Sequence, residues 1–236
     1  MLEALVSIAS ATALFWALDA AISFFGFVKP YYAVHTLHNV AIVALTGPDI
    51  YVVLTDFHNI KSHTITWPAT YICFGLHLYH ILKYWRTLQF DDWLHHGLML
   101  GVALPIGCTI EASSLMGFNL FFTTGLPGGI SYGALFVNRN GWITKETEKA
   151  FSAPIHVWIR SPGCMAYASI SLVQLLSNPL SVWTKVGGFI VAVLTYWNGQ
   201  YFMDQVVRSA AKQGVPSDRM RDSAAAADSG VGRFVD

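Results

Sequence analysis

The chain has 236 residues, 54% of them hydrophobic and only 12% charged, where a soluble domain carries about 25% charge. Such a deficit is incompatible with a wholly water-facing surface, and a formal net charge of zero removes the electrostatic footprint that a nucleic-acid partner needs. The three cysteines, Cys73, Cys108 and Cys164, lie in apolar stretches without CxxC spacing, so they read as small buried residues rather than a disulfide or zinc set.

A membrane-crossing helix needs about 20 mostly apolar residues. The first candidate runs from about Ala4 to Val28 and stops at Lys29-Pro30; without a basic leader it reads as a retained span rather than a signal peptide. A second, short span covers about Tyr31 to Thr46 and is expected to end at Gly47-Pro48-Asp49. A polar loop with Asp56, His58, Asn59, Lys61 and His63 follows, then a third span over about Trp67 to Trp85 and a fourth from Trp93 to about Ile110. The fifth starts near Ser113 and contains Gly125-Leu126-Pro127-Gly128-Gly129, where a missing backbone donor and three glycines predict a kink or break. A charged linker from Arg139 to Lys149 leads to a sixth span near Pro154 to Ser177 and a seventh over about Leu180 to Val206. Residues 1–28 thus form an N-terminal span, 29–206 a six-helix membrane domain, and 207–236 a tail without apolar periodicity that is expected to be disordered. Trp67, Trp85, Trp93, Trp142 and Trp183 fall near span ends, as an interfacial aromatic belt requires.

Seven spans divide the basic residues sharply. The loops after spans one, three and five and the tail, with Arg160, collect twelve of the fourteen Lys and Arg, leaving Lys61 and Lys185 for the other side. The positive-inside rule then predicts a cytosolic C-terminus and a luminal or extracellular N-terminus, in the endoplasmic reticulum or another endomembrane.

At 1.5 Å per residue, depth can be counted from the basic side. His35 and His38 lie in the first turns of span two, His77 and His80 about two turns from the end of span three, and His95 and His96 open span four. Asn198, Gln200 and Asp204 fall in the last turns of span seven. Ionisable groups in hydrocarbon cost about 2.5–3.5 kcal/mol each and normally face a bundle interior, so these groups predict a polar chamber open to the cytosol. Cys73, His77, His80 and Tyr84 form one helical stripe. Asp92, three and four residues before His95 and His96, is placed to orient either imidazole. Because adjacent residues differ by about 100° around a helix, His95 and His96 are not expected to point at one atom. His156 and Arg160 are read as interfacial, His35 and His38 as snorkelling groups or chamber edge, and Asp19 as a helix-helix hydrogen bond or a site residue.

The run Phe90-Asp91-Asp92-Trp93-Leu94-His95-His96, with Asn119-Leu120-Phe121-Phe122 and Leu126-Pro127-Gly128-Gly129-Ile130-Ser131-Tyr132 after it, resembles the TLC domain family of ceramide synthases and translocon-associated membrane proteins, over roughly Val28 to Val206. The resemblance implies an all-α membrane fold, a six-helix barrel with an extra N-terminal span. It also implies lipid chemistry on a histidine pair, matched here by His95 and His96; in the synthases that pair is implicated in acyl transfer from acyl-CoA. The chain departs from the synthases after the pair, where Gly97-Leu98-Met99-Leu100 and an apolar run replace a threonine and a histidine/aspartate-rich stretch. That departure argues against ceramide synthesis itself.

The function expected is the handling of a long-chain membrane lipid in the chamber, as binding, sensing or acyl transfer. Its catalytic candidates are His95, His96 and Asp92; its binding candidates are His77, His80, His35, His38, Asn119, Tyr132 and Asn198. No cofactor is expected, acyl-CoA being a substrate of the catalytic version, and homo- or hetero-oligomers within the membrane are compatible with it. A histidine-ligated membrane metalloenzyme is the alternative, since His35-x-x-His38 and His77-x-x-His80 have ligand-like spacing, although the His-x-x-His-His boxes of membrane desaturases are absent. A non-catalytic subunit, a channel or a receptor-like protein is a third reading. A retinal protein is disfavoured because no lysine lies in the middle of the last span.

Overall fold

A computed structural model describes residues 2–63, 67–110 and 114–214. Among them all regular structure is helical, in seven rods: α1 (Leu2–Phe24), α2 (Pro30–Thr55), α3 (Trp67–Tyr84), α4 (90–109), α5 (Ser114–Arg139), α6 (145–177) and α7 (Val182–Lys212). A single six-residue 3₁₀ turn, Phe57–Ser62, fills the expected polar loop. Three rods, α1, α2 and α5, are long and apolar enough to cross a membrane by length and composition. The other four carry histidine pairs or charged ends.

Three boundaries differ from expectation. Helix α2 does not stop at Gly47-Pro48-Asp49 but continues to Thr55 with Pro48 inside it; Asp49 is buried there, against Gly117 of α5, where a Cβ would lie only 1.8 Å from a carboxylate oxygen. Helix α6 begins at Lys145 inside the supposed linker, because Thr144 caps it by accepting from the Thr147 N–H. Helix α7 runs past Val206 to Lys212. The rest of the tail, including Ala224 to Ala227, lies outside the described residues.

The predicted break in α5 is a wider turn. Phe121–Gly125 form a π turn in which the Leu126 N–H bonds to the Phe121 carbonyl, and the helix then resumes through Pro127. The same arrangement recurs at Met99–Ala103 in α4 and His156–Arg160 in α6. In all three a proline (Pro105, Pro127, Pro162) stands two residues beyond the turn. Proline offers no N–H to the carbonyl four residues back and clashes with it; a local i→i+5 turn moves that carbonyl aside and lets the helix go on.

Helix α1 packs on α3 and, less extensively, on α2. Its contact stripe is Ala11, Phe15 and Asp19, at four-residue spacing, and Gly75 lets α3 come so close that an added Cβ would sit 2.6 Å from that of Ala11. The other six helices enclose the interior: α2 packs on α3 and α5, α5 on α6, α6 on α7 and α7 on α4. Ile42, Ala69, Cys73, Leu104 and Leu120 form one apolar cluster and Val53, Phe118, Tyr167 and Val191 another, closing the half of the bundle nearer the 55–67 and 109–114 connections. At the opposite end the 24–30 and 139–145 turns are tied together, the Val28 N–H donating to Asn140 Oδ1 at 2.9 Å.

Polar side chains share the interior with apolar ones, while many large apolar side chains lie on the exterior. Asp19, His38, Asn39, Thr46 and Glu148 are almost completely enclosed, whereas Leu2, Phe24, Tyr51, Leu54, Leu176 and Val182 are more than two-thirds exposed. An exterior of large apolar side chains is far beyond what a water-soluble monomer presents. Trp85, Trp93, Trp142 and Trp183 are exposed near helix ends.

Candidate functional site

A cavity of about 210 Å³ lies at the histidine level, lined by residues from α2 to α7 and by none from α1. Helix α2 contributes His35; α3 Leu76, His77 and His80; α4 Asp91, Asp92, His95, His96 and Met99. Helix α5 adds Thr123, Thr124, Gly128, Ser131, Tyr132 and Leu135, α6 Glu148, Lys149, Ser152, His156 and Arg160, and α7 Asn198, Phe202 and Val206. Each π turn delivers lining residues: Met99, Thr123 with Thr124, and His156 with Arg160.

The histidines form a connected group. His77 Nδ1 is 2.8 Å from the Cys73 carbonyl, one helical turn away, so it carries the proton and donates, leaving Nε2 without a partner. His96 Nε2 lies 3.0 Å from His80 Nδ1, and His96 Nδ1 is buried and unpartnered. The His95 and His96 rings stand 5.3 and 5.2 Å from that of His77. The two adjacent imidazoles therefore do converge, contrary to the expectation from their angular separation: two side chains about 100° apart straddle a third on a facing helix. His35 packs between His80 and Tyr132, at 4.8 and 4.5 Å, with Nδ1 held by the Tyr31 carbonyl.

Other candidates are placed differently. Asp92 does not orient His95 or His96. Its carboxylate accepts the Gln89 N–H at 3.0 Å in a capping box that starts α4, and it makes no hydrogen bond to either imidazole among the described residues. His38 lies outside the cavity, bonded to Asn39 at 2.9 Å and edge-on to Phe15. Asn119 donates to Thr195 at 3.1 Å and lines a second, smaller cavity. Asp19 is a structural clamp: Tyr79, Lys83 and, at 2.5 Å, Tyr84 converge on its carboxylate from α3.

Sequence reasoning set aside two groups that prove central. His156 and Arg160 are not interfacial; both are buried and line the main cavity. The Arg160 guanidinium donates to Asn198 Oδ1 at 2.8 Å and lies 4.5 Å over the Phe202 ring, while its Nε has no partner. It forms no ion pair among the described residues. The carboxylates of the cavity are all otherwise engaged: Asp91 by the Tyr201 hydroxyl at 2.7 Å, Asp92 by the cap, and Glu148 by Lys149 at 3.0 Å and Ser152 at 2.8 Å. Burial of an arginine is expensive unless an anion meets it.

The second cavity, about 50 Å³, runs between α4 and α7 and shares Asp91, His95, Met99, Thr123, Asn198 and Phe202 with the first. Its remaining walls are mostly apolar, including Leu94, Leu98, Leu104, Met116, Leu120, Val191 and Leu194. The histidine-lined chamber thus borders a smaller, mostly apolar crevice across shared side chains.

Fold and site together define an all-α protein with three helices fit to cross a membrane and a cavity lined by six histidines and a buried arginine. The chain matches no family model, no curated protein and no solved structure, so any assignment rests on the site itself.

Proposed function

We propose that this chain is an integral membrane protein of TLC type that crosses the bilayer seven times and handles a long-chain lipid. The observation that carries the reading is that the histidine-lined chamber and the apolar crevice between α4 and α7 adjoin, sharing six lining residues. The chamber side is suited to a charged or polar group and the crevice side to hydrocarbon, the division found in an amphiphile. The uncompensated Arg160 supports an anionic polar end, because a carboxylate or phosphate supplies the charge-assisted hydrogen bonds that the guanidinium lacks. The exposed apolar exterior, and the eleven-to-two division of the basic residues other than the buried Arg160, support the transmembrane orientation, with the chamber in the cytosolic half. Six helices around a chamber, with α1 outside, agree with what the TLC resemblance implies.

Binding or sensing needs only this chamber. Acyl transfer needs in addition an imidazole near the reacting carbonyl, as general base or acyl carrier, and His95 borders both cavities. Native mass spectrometry of detergent-purified protein tests the reading. Palmitate is expected to be retained, hexadecanol to be held more weakly, and Arg160→Gln to reduce palmitate retention roughly tenfold or more, the worth of a charge-assisted hydrogen bond. Equal retention of both amphiphiles by the native chain and the variant would overturn it. With palmitoyl-CoA as donor, a palmitoyl adduct on His95 or His96 formed with release of the CoA thiol would assign the catalytic version.

A further inference from the structure

We infer that His77, His95 and His96 form a binding site for one divalent transition-metal ion, of the zinc type, with a coordination position open to the chamber. One ligand nitrogen from each of the three lies within 4.8 Å of the other two. Three imidazoles bound to one tetrahedral ion at about 2.0–2.1 Å stand about 3.3 Å apart, so rotations moving each ring by about 1.5 Å or less close the site. This set differs from the His-x-x-His spacings visible in the sequence, because it draws one ligand from α3 and two adjacent ones from α4.

The hydrogen bonding around the triad has the pattern of a ligand shell waiting for its ion. Metal-bound histidines donate their other ring N–H to a carbonyl or a second acceptor, which fixes the tautomer and aims the free lone pair. His77 does so through Nδ1 to the Cys73 carbonyl, and Nε2 is the nitrogen left unpartnered. His96 is set the same way when Nε2 donates to His80 Nδ1, and its unpartnered nitrogen is then Nδ1. Two buried nitrogens without partners, one on each of two members of the triad, are a double exception to the rule that buried polar atoms are satisfied. A metal ion satisfies both at once.

Three neutral imidazoles add no negative charge, and Arg160 lines the same cavity. The bound ion therefore calls for an anion in its open position. The same anionic lipid end proposed for Arg160 fills that need, and in this respect alone the inference rests on the lipid reading.

The test is equilibrium dialysis of the full-length protein in detergent against buffered Zn²⁺ or Co²⁺, followed by elemental analysis. About one ion per chain is expected, with a Co²⁺ visible spectrum of tetrahedral intensity. His77→Ala, His95→Ala and His96→Ala should each lower the occupancy at least tenfold, while His38→Ala, a buried histidine outside the triad, should leave it intact. Thermal melting keeps the test decisive where a variant folds poorly. Zn²⁺ should raise the native Tm, and a chelator should reverse the rise. Occupancy below one ion in ten chains, or one that survives in the triple variant, would overturn the site. Palmitate retention measured on the same samples separates the two readings, since loss of metal binding with retained palmitate removes only the metal, and the converse removes only the lipid.

Discussion

Asp19 is the clearest case of a side chain whose cost is met locally. Its carboxylate is fully buried between α1 and α3, where Lys83 and the hydroxyls of Tyr79 and Tyr84 surround it. Removing one partner of such a pair strands the other charge, whereas removing both leaves a neutral contact. Asp19→Asn is therefore expected to lower stability by about 1–3 kcal/mol, and Asp19→Asn with Lys83→Met to recover most of that loss. Thermal unfolding in detergent measures both. A double variant less stable than the single one would show that shape, not charge, holds α1 in place. This clamp was half legible in the sequence: an aspartate in an apolar segment marks a buried partner, but only the packing of α1 on α3 shows that it serves structure and not the chamber.

At the scale of elements, small residues decide how closely the helices that carry the site approach one another. A Cβ on Gly199 of α7 would lie 2.6 Å from the Cys164 Cβ of α6, and Arg160 and Asn198, joined by a hydrogen bond, flank this contact. Gly199→Ala should push the two helices apart, at about 1–3 kcal/mol, and weaken palmitate retention with it. Adding Cys164→Gly should restore both, whereas Cys164→Ala, which keeps the Cβ, should not. The histidine level was readable because ionisable residues inside apolar runs stand out and because depth follows from counting at 1.5 Å per residue. Arg160 escaped because the helix was begun near Pro154. Once Thr144 is recognised as the cap, Arg160 falls more than four turns into α6, too deep for an interfacial side chain. Asp92 was misassigned for a related reason, since a carboxylate in a first turn is claimed by the free N–H groups of that turn before it can reach an imidazole.

For the whole molecule, the proposed seven-span topology carries a direction across the membrane that the basic residues set. In a background with Cys73, Cys108 and Cys164 replaced, a cysteine at Thr87 in the 84–90 turn and one at Asn178 in the 177–182 turn report opposite faces. In sealed microsomes, whose outer face is cytosolic, a membrane-impermeant maleimide should label Thr87→Cys directly and Asn178→Cys only after permeabilisation. The reverse pattern would place the chamber on the luminal side. Helix α1 stands apart in this picture, since it lines neither cavity and reaches the rest through one narrow stripe. It covers the face of α3 that carries Gly75, Tyr79 and Lys83.

Each of the three π turns holds one residue more than the α turn it replaces. One residue is about 100° of rotation, so a single insertion turns everything beyond it to a new face while the helix continues along nearly the same axis. Deleting one residue from any of these turns would rotate the helix beyond it by about 100° relative to the part before it, and would set Pro105, Pro127 or Pro162 against an α-helical carbonyl. Reckoned in insertions, three residues set which faces of α4, α5 and α6 meet at the chamber.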